Sequence, residues 1–291
     1  MKLSILIVNW NTKDLAVKCL KSIFRQEPIF DYEVIIVDNN SSDGSVEELS
    51  DFFGGKPNAK VISAKTNLGF AKGNNLAFEN SSGEYILLLN PDTEIKHGAL
   101  QRMVGFMDSH REVGVLGPKL INSDGALQPS VRRFPDIWSS LLIFSYLHHL
   151  IRPKKYLMDE FDYNKISEVD QVMGAAFLTR KTIIEQLGFL DEKFWLWYEE
   201  VDFCKRVKSA GYKVAFYPDA VIMHHGGQSF SKFDVYKRKK TLVKSLIYYF
   251  QKNGKWWEVA VLKTLMPVVL LISAFFALLN KVSFPRRRES R

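Results

Sequence analysis

Short apolar runs alternate with helically spaced apolar residues over the first ninety positions. Residues 3–8 (LSILIV) are apolar but for Ser4, as expected of a strand buried on both faces. Asp14–Phe24 sets Leu15, Val17, Leu20, Ile23 and Phe24 at helical spacing, which predicts an amphipathic helix. A second strand is expected over Glu33–Val37, and the turn NNSSDGS at 39–45 caps a helix starting near Ser45. Then follow a strand over Lys60–Ser63, a helix over Ala71–Glu79 and the wholly apolar strand Tyr85–Leu89. Further on, Asp202–Ala210 reads as a helix closed by Gly211, with strands over Val214–Tyr217 and Val221–Met223. The β-α-β-α-β-α-β order predicts an α/β fold: a mostly parallel central sheet with helices on both faces.

Open sheets of this kind bind ligands beyond the carboxyl ends of their strands. Asn9, Asp38, Asn67 and Asn90-Pro91-Asp92 follow successive strands, so four polar points are expected on one rim. Each has two readings. Asp92 either holds a divalent cation or belongs to a plain turn. Asp38 either accepts from a base N–H or ribose hydroxyl or caps the next helix. The loop NLGFAKGNN, with Asn67, Gly69 and Asn75, either brings backbone N–H groups to a diphosphate or only enters a helix. It matches neither standard nucleotide fingerprint. In WLWYEEVDFC, the carboxylates Glu199, Glu200 and Asp202 follow an aromatic cluster containing Trp197. They complement a helix dipole, or one of them, desolvated by the aromatic walls, serves as general base. His224, in HHGG, is either structural or a further metal ligand.

Composition narrows the class. With 46% hydrophobic and 25% charged residues in 291, the chain is an ordinary globular one rather than a disordered or low-complexity one. Cys19 and Cys204 alone make neither a disulfide scaffold nor a cysteine zinc cluster. Of the net charge of +8, half lies in residues 281–291, leaving a mildly basic body and no case for nucleic acid. The first apolar run is too short for a signal peptide and leads into Asn9-Trp10-Asn11, so a cytoplasmic chain is expected. Thr264–Leu279 carries no charge, and segment 259–280, next to the arginine tail, is expected to associate with a membrane. In-plane anchor, span and buried helix all remain open for it. Ile137–Ile151, followed by Arg152, Lys154 and Lys155, is either a membrane-surface element or a core helix.

Taken in order, these segments resemble family-2 glycosyltransferases of the GT-A fold, in particular the rhamnosyltransferase-like branch. SILIVNWNTKDLAVKCLKSI and EVIIVDNNSSDGSVE are similar to its two nucleotide-binding strands, and NLGFAKGNN to its asparagine-glycine loop. LLLNPDTEI stands at its metal motif, and the stretch from GAAFLTRK to MHHGGQS resembles its acceptor half. The resemblance covers about residues 3–230. It implies a donor half at about 1–95, an acceptor half at about 96–230, and a helical extension over 231–291. It implies a metal-dependent, inverting hexosyltransferase with Mg²⁺ or Mn²⁺ and a dTDP-, UDP- or GDP-sugar donor. The acceptor would be a cell-envelope or lipid-linked glycan at the inner face of the membrane, and the sugar rhamnose by branch. Asn9, Asp38, Asn67, Gly69, Asn75 and Asn90 would line the donor site, and Gly174, Ala175 and Trp197 the acceptor cleft. Asp92 and His224 would hold the metal, and Glu200 would be the base. Two departures stand out. The metal motif opens with a neutral Asn90, and a glutamate occupies the base position, so Glu199 or Asp202 are rival bases. Outside this reading stand a catalytically inactive membrane-associated scaffold and a nucleotidyltransferase, although VNWNTKD lacks the basic glycine-rich loop the latter needs.

Overall fold

The computed structural model describes residues 1–145, 147–226 and 235–283, with side chains of the final helix described as far as Leu271. In strand β1 (Leu3–Asn9), Leu3, Ile5 and Ile7 enter one core and Leu6 enters the other. β2 (Tyr32–Asp38) and β4 (Tyr85–Leu89) divide the same way, Ile36 and Leu87 against Ile35 and Leu88. A strand with apolar neighbours on both faces needs helices on both sides, and the period of two sends alternate residues to each. Helix α1 (Lys13–Phe24) supplies Ala16, Cys19, Leu20 and Ile23 to the first core, and α2 (Ser45–Phe53) adds Leu49 and Phe53. Helix α3 (Phe70–Glu79) supplies Ala71 and Ala77 to the second.

β3 (Ala59–Ser63) completes the outer edge, so β3, β2, β1 and β4 lie side by side and parallel. The chain then adds β5 (Thr93–Ile95), α4 (Ala99–Ser109), β6 (Val113–Ile121), β7 (Leu127–Gln128) and β8 (Val131–Arg132). After α5 (Ile137–Phe144) and the short α6 (Lys154–Leu157) come β9 (Ser167–Val169), β10 (Gln171–Val172) and β11 (Ala176–Arg180). Helices α7 (Lys181–Leu187) and α8 (Glu199–Ser209) lead to β12 (Lys213–His224). The sheet order is β3-β2-β1-β4-β11-β6-β12-β5, with β11 antiparallel to both neighbours and β12 parallel to β6. The expected mostly parallel α/β sheet is therefore present. The two strands expected over 214–223 are one strand, whose register shifts between Tyr217 and Val221. Pro218 lies in that interval and has no N–H to give to the ladder.

Contacts divide the chain into two units: Met1–Phe134 with Lys154–Ser229, and Pro135–Pro153 with Phe230–Arg291. The second holds α5, α9 (Val235–Asn253) and α10 (Trp256–Ser283). This differs from a continuous body over 1–230. The apolar helix α5 touches α10, and Lys239 Nζ donates to Phe144 O at 3.0 Å, so residues 135–153 belong with the C-terminal helices. Among the described residues, no helix is long and apolar enough to cross a membrane. The basic tail, and the side chains of 272–280 within the expected membrane-associating segment, lie outside what is described.

Candidate active site

Asn9 and Asp38 are paired residues at the carboxyl ends of β1 and β2. Asn9 Nδ2 donates to Asp38 Oδ1 at 2.8 Å, and Thr12 Oγ1 donates to Asn9 Oδ1 at 2.7 Å. Ser41 donates through its hydroxyl to Asp38 Oδ1 at 2.6 Å and through its backbone N–H to Oδ2 at 2.8 Å. With three hydrogen bonds received and no exposed surface, Asp38 fixes the turn after β2 and so shapes this end of the rim. The turn leads on to the glycine loop, because Asn39 Nδ2 donates to Gly69 O at 3.0 Å. Asn39 Oδ1 is buried and has no hydrogen-bond partner.

Asn67 Oδ1 accepts from Gly69 N at 2.9 Å, closing the loop before α3. Gly69 has φ +81, and a Cβ there would stand 2.4 Å from Trp195 O. Only glycine suits both the left-handed backbone and the close approach. The next residue completes the contact, with Phe70 N donating to Trp195 O at 2.8 Å. Asn75 stands apart from the donor role expected of it. Its amide is clamped to Leu190, Nδ2 donating to the carbonyl at 2.8 Å and Oδ1 accepting the N–H at 3.2 Å. It ties α3 to the loop before α8.

That loop enters α8 through two bulky residues in the left-handed region, Trp197 (φ 65) and Tyr198 (φ 72). Each such conformation costs about 1–3 kcal/mol, and strain of this kind gathers at functional sites. Glu199 and Glu200 follow at the helix start, each with a buried Oε2 that lacks a hydrogen-bond partner. Burial pushes both carboxyls up; for Glu199 the charge of Glu200 adds to a shift well above the usual range. The backbone N–H groups of Glu200, Val201 and Tyr198 act the other way on Glu200 and favour its anion. Glu199 is thus raised further than Glu200, whose anion the helix-start N–H groups favour. The Glu200 side chain lies along Gly174, where an added Cβ would stand 3.5 Å from its Cγ. Asp202, a rival base from the sequence, makes an ion pair within α8. It is fully buried and paired with Arg206 Nε at 2.9 Å. The same guanidinium donates to the carbonyls of Leu187, Gly188 and Phe189, tying α8 to the end of α7.

The remaining side of the rim is built on the strand ends. Asn90 N donates to Ala175 O at 2.9 Å, which places Gly174-Ala175 beside Asn90-Pro91-Asp92. Asp92, only 4% exposed, presents Oδ1 at 3.3 Å from His224 Nε2. His224 Nδ1 lies 2.7 Å from Gln128 Oε1, and Gln128 Nε2 donates to Asn122 Oδ1 at 2.8 Å. That second bond orients the Gln128 amide with its oxygen toward the histidine. Nδ1 therefore donates, and Nε2 is the nitrogen turned toward Asp92. Nε2 is buried without a hydrogen-bond partner. A buried carboxylate oxygen beside an imidazole nitrogen without a hydrogen-bond partner fits a divalent cation with two protein ligands. Among the described residues no group of three or more His, Cys, Asp and Glu gathers, which leaves the other positions to water and substrate oxygens. Cys19 and Cys204 are buried, their thiols pushed up to about 12, so neither is a nucleophile.

Sequence reasoning missed Gln128. It lies on a two-residue strand 96 positions before its partner, and no local pattern marks it. Gln128→Leu is expected to keep the fold and weaken Mn²⁺ binding about 10–100-fold, read by calorimetry without donor. Unchanged affinity would remove His224 as a ligand. Glu199→Gln is expected to raise the melting temperature at neutral pH. A carboxyl raised in the folded state favours folding less and less as pH climbs from its unfolded value (about 4.3) through its folded one. The gain should therefore vanish in melts below about pH 4.

The glycosyl transferase family 2 profile matches residues 4–187. An N-acetylglucosaminyl-diphospho-decaprenol L-rhamnosyltransferase from Mycobacterium tuberculosis is 22% identical over 256 residues, 81% of this chain and 80% of the relative. The low-salt glycan biosynthesis hexosyltransferase Agl10 of Haloferax volcanii is 27% identical over 210 residues, 71% and 61% of the respective chains. The mannosyltransferase PcManGT of Pyrobaculum calidifontis, solved with GDP-Man and Mn²⁺, superposes with TM-score 0.60 at 16% identity, covering 98% of this chain and 76% of its own. S. aureus TarS 1-349 with UDP-GlcNAc gives 0.56 at 19%, covering 87% and 75%. The fold is that of the GT-A glycosyltransferases.

Proposed function

The chain belongs to glycosyl transferase family 2, and we propose that it transfers a sugar from a nucleotide diphosphate sugar to a glycan hydroxyl with inversion at the anomeric carbon. The observation that carries this is the pair of neighbouring acids at the start of α8, each with a buried carboxyl oxygen that lacks a hydrogen-bond partner, on the same rim as the Asp92–His224 pair. Glu200 takes the proton of the acceptor hydroxyl as that oxygen bonds to the anomeric carbon. The bond from that carbon to the diphosphate oxygen breaks on the opposite face, and the electron pair leaves with the diphosphate. A single displacement needs one base and no covalent intermediate. Asn9, Asp38, Asn67, Gly69 and Asn90 frame the nucleotide side, and Gly174, Ala175 and Trp197 frame the acceptor side. Asp92 Oδ1 and His224 Nε2 would hold Mg²⁺ or Mn²⁺, which offsets charge on the departing diphosphate. Burial and the charge of Glu200 raise the Glu199 carboxyl, which disfavours a second negative charge beside the base.

The rhamnosyltransferase relative acts, by its name, on a decaprenol-linked diphosphate sugar. We extend that to this chain as a lipid-linked or cell-envelope glycan acceptor at the inner face of the membrane, with rhamnose as the first sugar to try. The test is to incubate the protein and Mn²⁺ with dTDP-rhamnose, UDP- and GDP-sugars and a polyprenyl diphosphate-linked N-acetylglucosamine. The anomeric configuration of the product is then read by NMR. A product of inverted configuration is expected. A retained configuration would dismiss the single displacement, and no product from any donor would dismiss the acceptor class.

A further inference from the structure

Charge is divided unevenly between the two units. Residues 135–153 and 230–291 carry fifteen Lys and Arg against four Asp and Glu, a net +11 in a chain whose total is +8. The unit that holds the rim is therefore at −3, not mildly basic as the tail alone suggests. Within the basic unit, α9 has cations at 237–240, 244 and 252 and no acidic residue.

Most of the large apolar side chains that reach solvent also belong to that unit. Trp138 on α5 is 70% exposed, and Leu150 just beyond it 83%. Helix α10 has an apolar face turned inward, with Leu262 and Met266 at 0% and 1%. It has a second apolar face turned outward: Trp257, Leu265, Val268 and Leu271 are 37%, 43%, 52% and 71% exposed. Their spacing of 8, 3 and 3 residues gathers them within about 120° of the helix circumference. A helix that is apolar on both faces has one face still to be covered.

We propose that this unit docks in-plane on an anionic lipid surface, with the outer face of α10 and Trp138 entering the interface. Three observations select this occupant. The net +11 matches an anionic headgroup layer, where each surface-proximal Lys or Arg adds about 1 kcal/mol. A second copy of the chain would bring a second +11 against the first. Exposed tryptophans beside basic residues suit the headgroup level, where an indole has one apolar and one wet side. The inference deepens the reading of a lipid-linked acceptor, but its measurement involves neither donor nor acceptor.

The experiment is flotation of the full chain with phosphatidylcholine vesicles and with phosphatidylcholine–phosphatidylglycerol vesicles. Partitioning onto the anionic vesicles is expected to be more than about tenfold stronger and to fall in high salt. The double variant Val268→Asp/Leu271→Asp, at exposed positions, should melt as the parent does and partition about tenfold less. Equal partitioning onto both vesicle types, or a double variant that binds like the parent, would overturn the proposal. So would a dimer seen in sedimentation without lipid and abolished by the double variant, since a second copy would then cover this face. Failure here with intact sugar transfer would leave the catalytic reading standing.

Discussion

Glu200→Gln is expected to lower turnover about 10²–10⁴-fold and to leave nucleotide affinity unchanged. Glutamine keeps the shape of the side chain against Gly174 but takes no proton. The proposed nucleotide side of the rim is the Asn9–Asp38 pair instead, at the ends of β1 and β2. The contrast with its neighbour sharpens the test. Glu199 is the more raised of the two carboxyls, because it is buried beside the charge of Glu200. Glutamine mimics the neutral form that this shift favours, and Glu199→Gln should retain most turnover. Steady-state rates and calorimetric affinities of both variants decide the matter. Loss of turnover in Glu199→Gln with Glu200→Gln active would reverse the two roles.

Asp202→Ala is expected to cost stability rather than chemistry. The substitution leaves Arg206, three-quarters buried, without its anion while it still spans three carbonyls. Removing one partner of a fully buried pair costs about 3–5 kcal/mol, and the partial exposure of Arg206 reduces this to about 2–3 kcal/mol. A domain of this size would then melt about 5–10 °C lower. Turnover per folded molecule at low temperature should hold near the parent's. An unchanged melting temperature with lost turnover would return Asp202 to the chemistry.

Much of this site was legible because it is made of strand ends. Each apolar run in the first ninety residues stops at a polar residue, and parallel pairing carries Asn9, Asp38 and Asn90 to one edge. The observed strands extend the expected ones by at most a residue at either end, since burial on both faces leaves little freedom of register. What escaped depends on contacts distant in sequence. Asn75 looks like a loop amide but is claimed by Leu190, 115 residues away. Gln128 acquires meaning only when β7 pairs with β6 and meets the end of β12. The membership of α5 in the C-terminal unit depends on its contact with α10, which no local pattern encodes. The three acids of α8 were indistinguishable by spacing. Burial, the N–H groups at the helix start and Arg206 give each a separate environment.

The most direct measurement is a calorimetric titration of the folded protein with UDP, dTDP and GDP, each with and without Mn²⁺, repeated on Asp92→Asn. A donor site joined to a cation at Asp92 and His224 predicts that one nucleotide binds markedly tighter with Mn²⁺. It predicts also that Asp92→Asn loses that metal dependence while still binding weakly without it. Binding of no nucleotide, or metal dependence that survives in Asp92→Asn, would contradict the placement of donor and cation on this rim.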